Sequence, residues 1–451
     1  MRTRNRVAIL IPVFAGSIAA AGPATSRIWT AEGDKAGAKF GRSAAAAGDV
    51  NGDGYGDVSV GAPGYENGQP AEGRTFVYLG SASGLSTTPS WMTESNQPSG
   101  EYGESVGMAG DVNGDGYDDL IVGSVLVGAS VYHGSATGLS TVSNWTSQPG
   151  GWFGASVGAA GDVNGDGYSD VIVGDAIYTS GEWHEGAAFV YHGSPSGLST
   201  TADWTAEGNQ FNANLGSVGA AGDVNGDGYD DVIVGAMNYD NGQVDEGRAF
   251  VYFGSPSGLS EVPDWTAEGG QEKDGFGGSV GTAGDVNGDG YADVIVGASL
   301  HDNGQKNEGR TFVYHGSASG LSSKPSWIAE GGRKRAGFGS SSRTAGDVNG
   351  DGYADVIVGA PGYSHGQVSE GAAFVYLGSP SGLSSQPSWR AECDQANAAC
   401  GISVASGGDV DGDGHDELLV GAFYYDNGQT DEGRVFLYDL LDSSPAPLRS
   451  E

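Results

Sequence analysis

A nine-residue acidic pattern recurs seven times along the chain, and its spacing limits the possible folds more than any other feature. The first copy runs Asp49-Val50-Asn51-Gly52-Asp53-Gly54-Tyr55-Gly56-Asp57, and the others begin at Asp111, Asp162, Asp223, Asp285, Asp347 and Asp409. Successive starts lie 62, 51, 61, 62, 62 and 62 residues apart. A unit of this size cannot bury its apolar face alone, so the units must stack into one body. That overrides the two or three domains which 451 residues would otherwise suggest.

The unit around Gly275 shows what repeats. Phe276–Gly284 is built of small and β-branched residues, and the acidic loop Asp285–Asp293 follows. Val294–Ala298 is apolar, Arg310–Gly316 is β-branched and aromatic, and Trp327–Glu330 comes after a Ser-Ala-Ser-Gly-Leu turn. Short β-prone runs bounded by Gly, Asn, Asp and Ser predict four strands, A to D, joined by hairpins. The Asn-Gly pairs at Asn241-Gly242, Asn303-Gly304 and Asn427-Gly428 predict hairpins between strands B and C. No segment sustains a helical period.

Seven such units predict an all-β chain, a seven-bladed β-propeller with four-stranded antiparallel blades. The Gly, Ala and Ser of strand A suit the crowded strand nearest a central axis. Strand D carries a Trp seven times, at Trp29, Trp91, Trp145, Trp204, Trp265, Trp327 and Trp389. Trp29 precedes every strand A, while the last unit stops after Val435-Phe436-Leu437-Tyr438. The last blade is therefore expected to be closed by the N-terminal strand, leaving no open sheet edge. An open solenoid would need polar capping repeats, and none is seen.

Residues 1–25 are expected to be a signal peptide, 26–440 the propeller and 441–451 a short C-terminal tail. Arg2, Arg4 and Arg6 precede an apolar run from Val7 to Ala21, and Ala19-Ala20-Ala21 offers a cleavage site. The run is short for a membrane span, and no later segment approaches 18 consecutive apolar residues. The mature chain is thus expected to lack a membrane span and to be secreted, extracellular or held at the cell surface. In that setting Cys393 and Cys400 are expected to form a local disulfide.

The loops supply oxygen at positions 1, 3, 5 and 9 and a backbone carbonyl at 7, the donor set of a hard cation such as Ca²⁺. The candidate ligands are Asp49, Asn51, Asp53, Tyr55 and Asp57 in the first loop, and Asp111, Asn113, Asp115, Tyr117 and Asp119 in the second. They are Asp162, Asn164, Asp166, Tyr168 and Asp170 in the third, and Asp223, Asn225, Asp227, Tyr229 and Asp231 in the fourth. The fifth has Asp285, Asn287, Asp289, Tyr291 and Asp293, and the sixth Asp347, Asn349, Asp351, Tyr353 and Asp355. The seventh departs, with Asp409, Asp411, Asp413, His415 and Glu417. An EF-hand is rejected, because its position-12 Glu is replaced by Val60, Val122 and Val173 in the first three loops. Turn formation alone would not require Asp at position 9. About seven Ca²⁺ sites are expected. Their ligands hold 22 of the 57 acidic residues and account for much of the net charge of −37. Such charge disfavours nucleic acid as a partner.

Phe40-Gly41, the acidic loop and Gly61-Ala62-Pro63 together resemble the FG-GAP repeat of the integrin α-subunit β-propeller. Phe338-Gly339 with Gly359-Ala360-Pro361 repeats the match, and the resemblance covers about residues 26–440. It implies a seven-bladed propeller with Ca²⁺ in hairpin loops and a role in adhesion or ligand binding. Blade 2 departs with Tyr102-Gly103, blade 4 with Asn214-Leu215 and blade 7 with Cys400-Gly401, and Pro is missing after Gly-Ala in blades 4, 5 and 7. Integrin leg, membrane and cytoplasmic segments do not follow, so a free-standing, monomeric propeller is expected.

Antiparallel strands put the acidic loops and C–D turns on one rim, and the B–C hairpins and D–A crossings on the other. The second rim varies, and its candidate ligand-face residues are Tyr65, Trp152, Tyr178, Trp183, Tyr239, Arg333, Tyr363 and Tyr424, with Tyr425 beside them. Blade 2 lacks most of its hairpin between Val122 and Ser130, which should leave a notch. The leading expectation is a module binding an extracellular protein or glycan. The alternatives are a polysaccharide lyase or phospholipase, or a multivalent lectin. No asymmetric acid–base cluster stands out. His133, His192 and His315 share one repeat position and look structural, while His184, His301 and His365 lie in polar turns without a recognisable partner. The Glu-Gly pairs at Glu72, Glu185, Glu246, Glu308, Glu370 and Glu432 are expected to serve the B–C hairpins.

Overall fold

The computed structural model describes residues 26–440. The expected leader and tail lie outside the described residues. Seven four-stranded antiparallel sheets follow one another around a ring. In blade 1 the order from the axis outward is Ser43–Gly48, Asp57–Ala62, Arg74–Tyr78 and Trp91–Glu94. Strand B is buried along all its residues in every blade, because neighbouring blades cover both of its faces. Its Val-Ile-Val core therefore reads as a continuous apolar run rather than an alternation.

The seventh sheet holds Ser403–Gly408, Glu417–Ala422 and Arg434–Asp439, and its outer strand is Ser26–Glu32. Trp29 faces Leu437 and Arg27 faces Tyr438 in that pairing. The ring is closed by a strand from the opposite terminus, as the Trp count requires.

Each strand D Trp reaches across to the next blade. Trp29 sits edge-on to Tyr78 at 4.8 Å between ring centroids, and its indole N–H donates to the Ser86 carbonyl at 3.0 Å. The ring contact recurs in the other six blades, ending with Trp389 on Tyr438 at 4.9 Å. Nearer the axis, strand A serines join the blades. Ser43 Oγ accepts the Val106 N–H at 3.1 Å, and Ser403 Oγ accepts the Ala44 N–H at 2.9 Å across the closure.

The two glycines of the family motif meet between blades. A Cβ on Gly61 would sit 1.9 Å from the Gly103 carbonyl oxygen, so a side chain there would push blades 1 and 2 apart. The same approach joins Gly174 to Gly216, which corrects the reading of blade 4. Leu215-Gly216, not Asn214-Leu215, stands where Phe-Gly stands elsewhere. Leu215 pairs with Gly186 as Phe276 pairs with Gly247. One residue fewer separates Leu215 from Ser217 than separates Phe276 from Ser279, and this shift hid the match.

Strands B and C pair as hairpins where Asn-Gly was found, across loops longer than that pair, since Ala236 and Arg248 bound a loop covering 237–247. A buried Glu organises each such loop. Glu246 Oε1 accepts the Asn241 N–H at 2.7 Å, and Glu185 Oε1 accepts those of Ser180 and Gly181 at 2.7 and 2.8 Å. Cys393 and Cys400 are joined as a disulfide with Cα atoms 5.7 Å apart.

Candidate metal loops and ligand face

The first position of each acidic loop is its hub. Asp49 Oδ1 accepts the N–H groups of Gly52 and Asp53 at 2.7 and 3.0 Å, and Oδ2 accepts that of Gly54 at 2.8 Å. Asn51 Oδ1 and Asp53 Oδ1 then accept the N–H groups of Asp53 and Tyr55 at 3.0 and 3.2 Å. The Gly54-to-Asp49 bond recurs in all six other loops at 2.8–2.9 Å. Gly52 has φ +71, and a Cβ there would lie 2.6 Å from the Tyr117 ring. Positions 1, 3 and 5 are thereby turned toward one point. In blade 7, where position 3 is also a carboxylate, oxygens of Asp409, Asp411 and Asp413 lie within 4.8 Å of one another.

Position 9 is different, because it is fully buried. Asp57, Asp119, Asp170, Asp231, Asp293 and Asp355 have 0% exposure. Asp57 Oδ2 accepts the Val50 N–H at 2.9 Å and Oδ1 the Gly80 N–H at 2.8 Å. Burial pushes its pKa up to about 7, the two hydrogen bonds pull it back, and Asp53 and Asp49 push it up again. Glu417 is pushed up to about 8 for the same first reason, and its Oε1 is buried without a hydrogen-bond partner among the described residues. Carboxylates crowded around a buried one make a field which a cation offsets. The donor set is all oxygen and fits a hard divalent ion.

These loops are also the seam of the ring. The Asp118 N–H donates to the Asp49 carbonyl at 3.2 Å, and the Gly56 N–H donates to the Asp409 carbonyl at 2.7 Å, closing the circle. Asp118 Oδ2 accepts the Asp49 N–H at 2.8 Å, as Asp230 does for Asp162 and Asp416 for Asp347, both at 2.9 Å. Burial raises the pKa of all three. Position 7 has a packing role that sequence reasoning missed. Tyr117 covers Gly52, Tyr168 covers Gly114, His415 covers Gly350 and Tyr55 covers Gly412. The signal for it is an aromatic ring at that position in every copy.

On the opposite rim, half of the expected ligand-face residues pack against their own blade. Tyr65, Tyr178, Tyr239 and Tyr363 stack edge-on to Phe76, Phe189, Phe250 and Phe374 at 5.3–5.7 Å, and Tyr425 does the same with Phe436 at 5.8 Å. Tyr363 is buried, and Tyr65, Tyr178 and Tyr239 are half-buried. In polar loops these rings look exposed, but each folds back on the strand C of its own blade. Arg333 is exposed, with its guanidinium 5.2 Å from the centroid of Tyr363. Trp152, Trp183 and Tyr424 stay open, at 48%, 56% and 40% exposure, and Phe211, which the sequence reading passed over, reaches 65%. The Asn212 N–H donates to the Trp183 carbonyl at 2.8 Å, so Phe211 and Trp183 belong to one patch across blades 3 and 4. Tyr424 borders a cavity of about 570 Å³ with Lys39, Arg42, Glu104 and Phe423. Blade 2 turns from Ser124 to Gly128 through three residues, and its Leu126 is exposed.

Two histidines do have partners, contrary to the sequence reading. His301 stands where other blades have the core Tyr, and its Nδ1 lies 2.7 Å from Asp274 Oδ1 with both side chains buried. His365 Nδ1 lies 3.2 Å from Glu392 Oε2. His133, His192 and His315 pack against Gly197, Gly258 and Gly382 of the next blade's C–D turn, and burial lowers the pKa of His133 and His315. Asp274→Ala is expected to cost about 1–3 kcal/mol by leaving His301 unpaired. A thermal melt measures this, and an unchanged melting temperature would deny the pair a structural role.

The FG-GAP repeat family profile matches residues 40–78, 215–252, 276–314, 338–376 and 401–438, and an FG-GAP-like repeat profile matches 111–173. The chain is 32% identical to integrin alpha-5 of Xenopus laevis over 51% of its length and 22% of that protein's. It is 34% identical to integrin alpha pat-2 of Caenorhabditis briggsae over 46% of the chain and 18% of the relative. For integrin alpha-PS2 of Drosophila melanogaster the identity is 38%, over 36% and 12%. The chain thus spans about a fifth or less of these relatives. A solved structure titled "Crystal structure of BBS1N in complex with ARL6DN, soaked with lead" superposes with a TM-score of 0.52 at 9% identity, covering 94% of this chain and 98% of that one, which speaks for the fold alone. With repeat profiles that together reach all seven blades, the Gly–Gly contacts between blades and the closed ring, the chain belongs to the FG-GAP repeat proteins with an integrin-α-like β-propeller.

Proposed function

We propose that this chain is an extracellular Ca²⁺-binding propeller that serves as an adhesion or ligand-binding module for a protein or glycan. The contrast between the two rims carries this reading. One rim repeats the same oxygen-lined loop in every blade, as a structural ion site requires. There Asp49, Asn51, Asp53, the Tyr55 carbonyl and Asp57, with their counterparts in six further loops, are the proposed ligands. A bound ion would supply charge neutralisation, and the chain's own residues would supply the tie between blades. The other rim differs from blade to blade and exposes Trp152, Trp183 and Phe211. Exposed aromatics on a rigid scaffold are what recognition of a protein or sugar face uses. Among the described residues no helix is long and apolar enough to cross a membrane.

A glycan array, with an integrin-ligand protein panel beside it, tests the reading. Binding that requires Ca²⁺ and falls at least tenfold in Trp183→Ala is the expected result. Turnover of a polysaccharide or phospholipid, abolished by one substitution, would replace this reading with the enzyme.

A further inference from the structure

Between residues 26 and 440 the chain has 16 Lys and Arg, and they are unevenly placed. None stands between Arg74 and Arg248, while Lys306, Arg333, Lys334 and Arg335 gather where blade 5 passes to blade 6 on the variable rim. All four are exposed. The Arg335 N–H donates to the Lys306 carbonyl at 2.7 Å, which ties the crossing to the B–C loop of blade 5. The same bond recurs from Asn212 to Trp183 at 2.8 Å, from Lys273 to Val244 at 2.9 Å and from Asn397 to Val368 at 2.8 Å. One backbone frame therefore presents Trp183 and Phe211 between blades 3 and 4, and Lys306 and Lys334 at the same two places between blades 5 and 6.

The carboxylates of this corner are already engaged. Glu308 Oε1 accepts the Asn303 N–H at 2.6 Å, and Asp302 Oδ1 accepts that of Asn307. Glu330 pairs with Arg310 and accepts from Asn303 Nδ2 at 2.8 Å. Elsewhere a Gln in the place of Arg333 clamps an Asp of the next B–C loop. Gln210 meets the Asp240 backbone at 2.9 and 2.6 Å, and Gln395 meets that of Asp426 at 2.8 and 2.7 Å. Here both halves differ, as Arg333 and Ser364, so an acid is missing where the cations gather. Among the described residues no ion pair engages any of the four. The Arg333 guanidinium lies over the Tyr363 ring at 5.2 Å, which steadies its face and leaves its N–H edge to bind.

We infer that this corner is a second recognition site, for the sulfate or carboxylate groups of an acidic polysaccharide. Four unpaired cations on a chain of net charge −37 mark a local anion site. Its confinement to one junction fits a slender chain crossing that corner. A membrane or a nucleic-acid duplex would also press its phosphates against the acidic remainder. The inference takes the class of its ligand from the reading of the chain as an extracellular binding module, but not its place, since Trp183 and Phe211 stand at another junction.

Calorimetric titration of the full chain in Ca²⁺ buffer with heparin, hyaluronate and neutral dextran tests this. The variant combines Lys306→Val, Arg333→Gln, Lys334→Ala and Arg335→Asn. Each is a residue that other blades carry at that place, and Asn suits the φ of 58° at Arg335, so the variant should melt like the wild type. The wild type should bind heparin or hyaluronate and not dextran, and the variant should bind at least tenfold more weakly. Tighter binding of heparin would assign sulfate, and of hyaluronate carboxylate. Equal binding by both proteins, or no binding by the wild type, would overturn the site. Tighter binding to phosphatidylserine-containing vesicles or to DNA would overturn the ligand class. Trp183→Ala should bind the polysaccharide like the wild type, so a failure of the aromatic patch reads out separately, and an equal loss there would overturn a distinct second site.

Discussion

Withdrawing Ca²⁺ with EGTA is expected to lower the melting temperature by about 5–15 °C. At ~2 mM free ion and dissociation constants of ~10⁻⁴–10⁻³ M, one site contributes roughly 0.6–1.8 kcal/mol. Seven sites then give roughly 5–12 kcal/mol, against an unfolding entropy of about 0.9 kcal/mol/K for a domain of this length. The effect should be cooperative, because the loops are where blades touch. The Asp118 N–H meets the Asp49 carbonyl and the Gly56 N–H meets that of Asp409, so loosening one loop loosens its neighbour's anchor. Removing the ion also leaves Asp49, Asp53 and Asp57 to repel one another around a buried carboxyl. Asp285→Asn should remove about a seventh of the Ca²⁺-dependent gain, with Mg²⁺ restoring less than Ca²⁺ does. An identical melt with and without EGTA would deny the loops any structural ion.

Much of the architecture was legible because a repeat reports itself. The loop spacing gave the blade count, and the unmatched Trp29 gave the closure. What a single unit does not reveal is which of its residues reaches the next unit. The Gly61–Gly103 approach and the Tyr117–Gly52 cover lie between blades, and no pattern within one blade points to them. The packing of the B–C loop tyrosines was hidden for another reason. Tyr65 sits among Gly, Glu, Asn and Gln, the composition of a solvent-facing loop, yet the chain folds back and lays its ring on Phe76. Comparing the blades position by position is more informative than reading along the chain. His301 breaks a run of tyrosines, and Arg343 breaks a run of glycine and alanine. The first departure marks a local chemistry that the repeat itself does not require, a buried acid–imidazole pair, and the second places a guanidinium on the wall of the central channel.

Deleting Ser26–Glu32 is expected to abolish the well-folded monomer. That strand pairs with Arg434–Asp439 along its length, and Arg434 adds an ion pair to Glu32 at 2.7 Å. It also bridges to blade 1, where Trp29 meets Tyr78 and the Ser86 carbonyl. Without it, the backbone of Val435, Phe436 and Leu437 becomes an open apolar edge, the template for pairing with another chain. Light scattering should then find dimers and larger species, and the melt should broaden. Trp29→Ala is the milder test. It keeps the backbone pairing and removes the buried indole, at about 3–5 kcal/mol for a large-to-small change in a packed core. A synthetic peptide of residues 26–32, added in excess to the deleted protein, should restore the monomer by refilling the edge, because only the covalent link has been lost. A deletion variant that stayed monomeric and melted like the full chain would mean that six blades and a three-stranded seventh suffice, and the closing strand would then be dispensable to the ring.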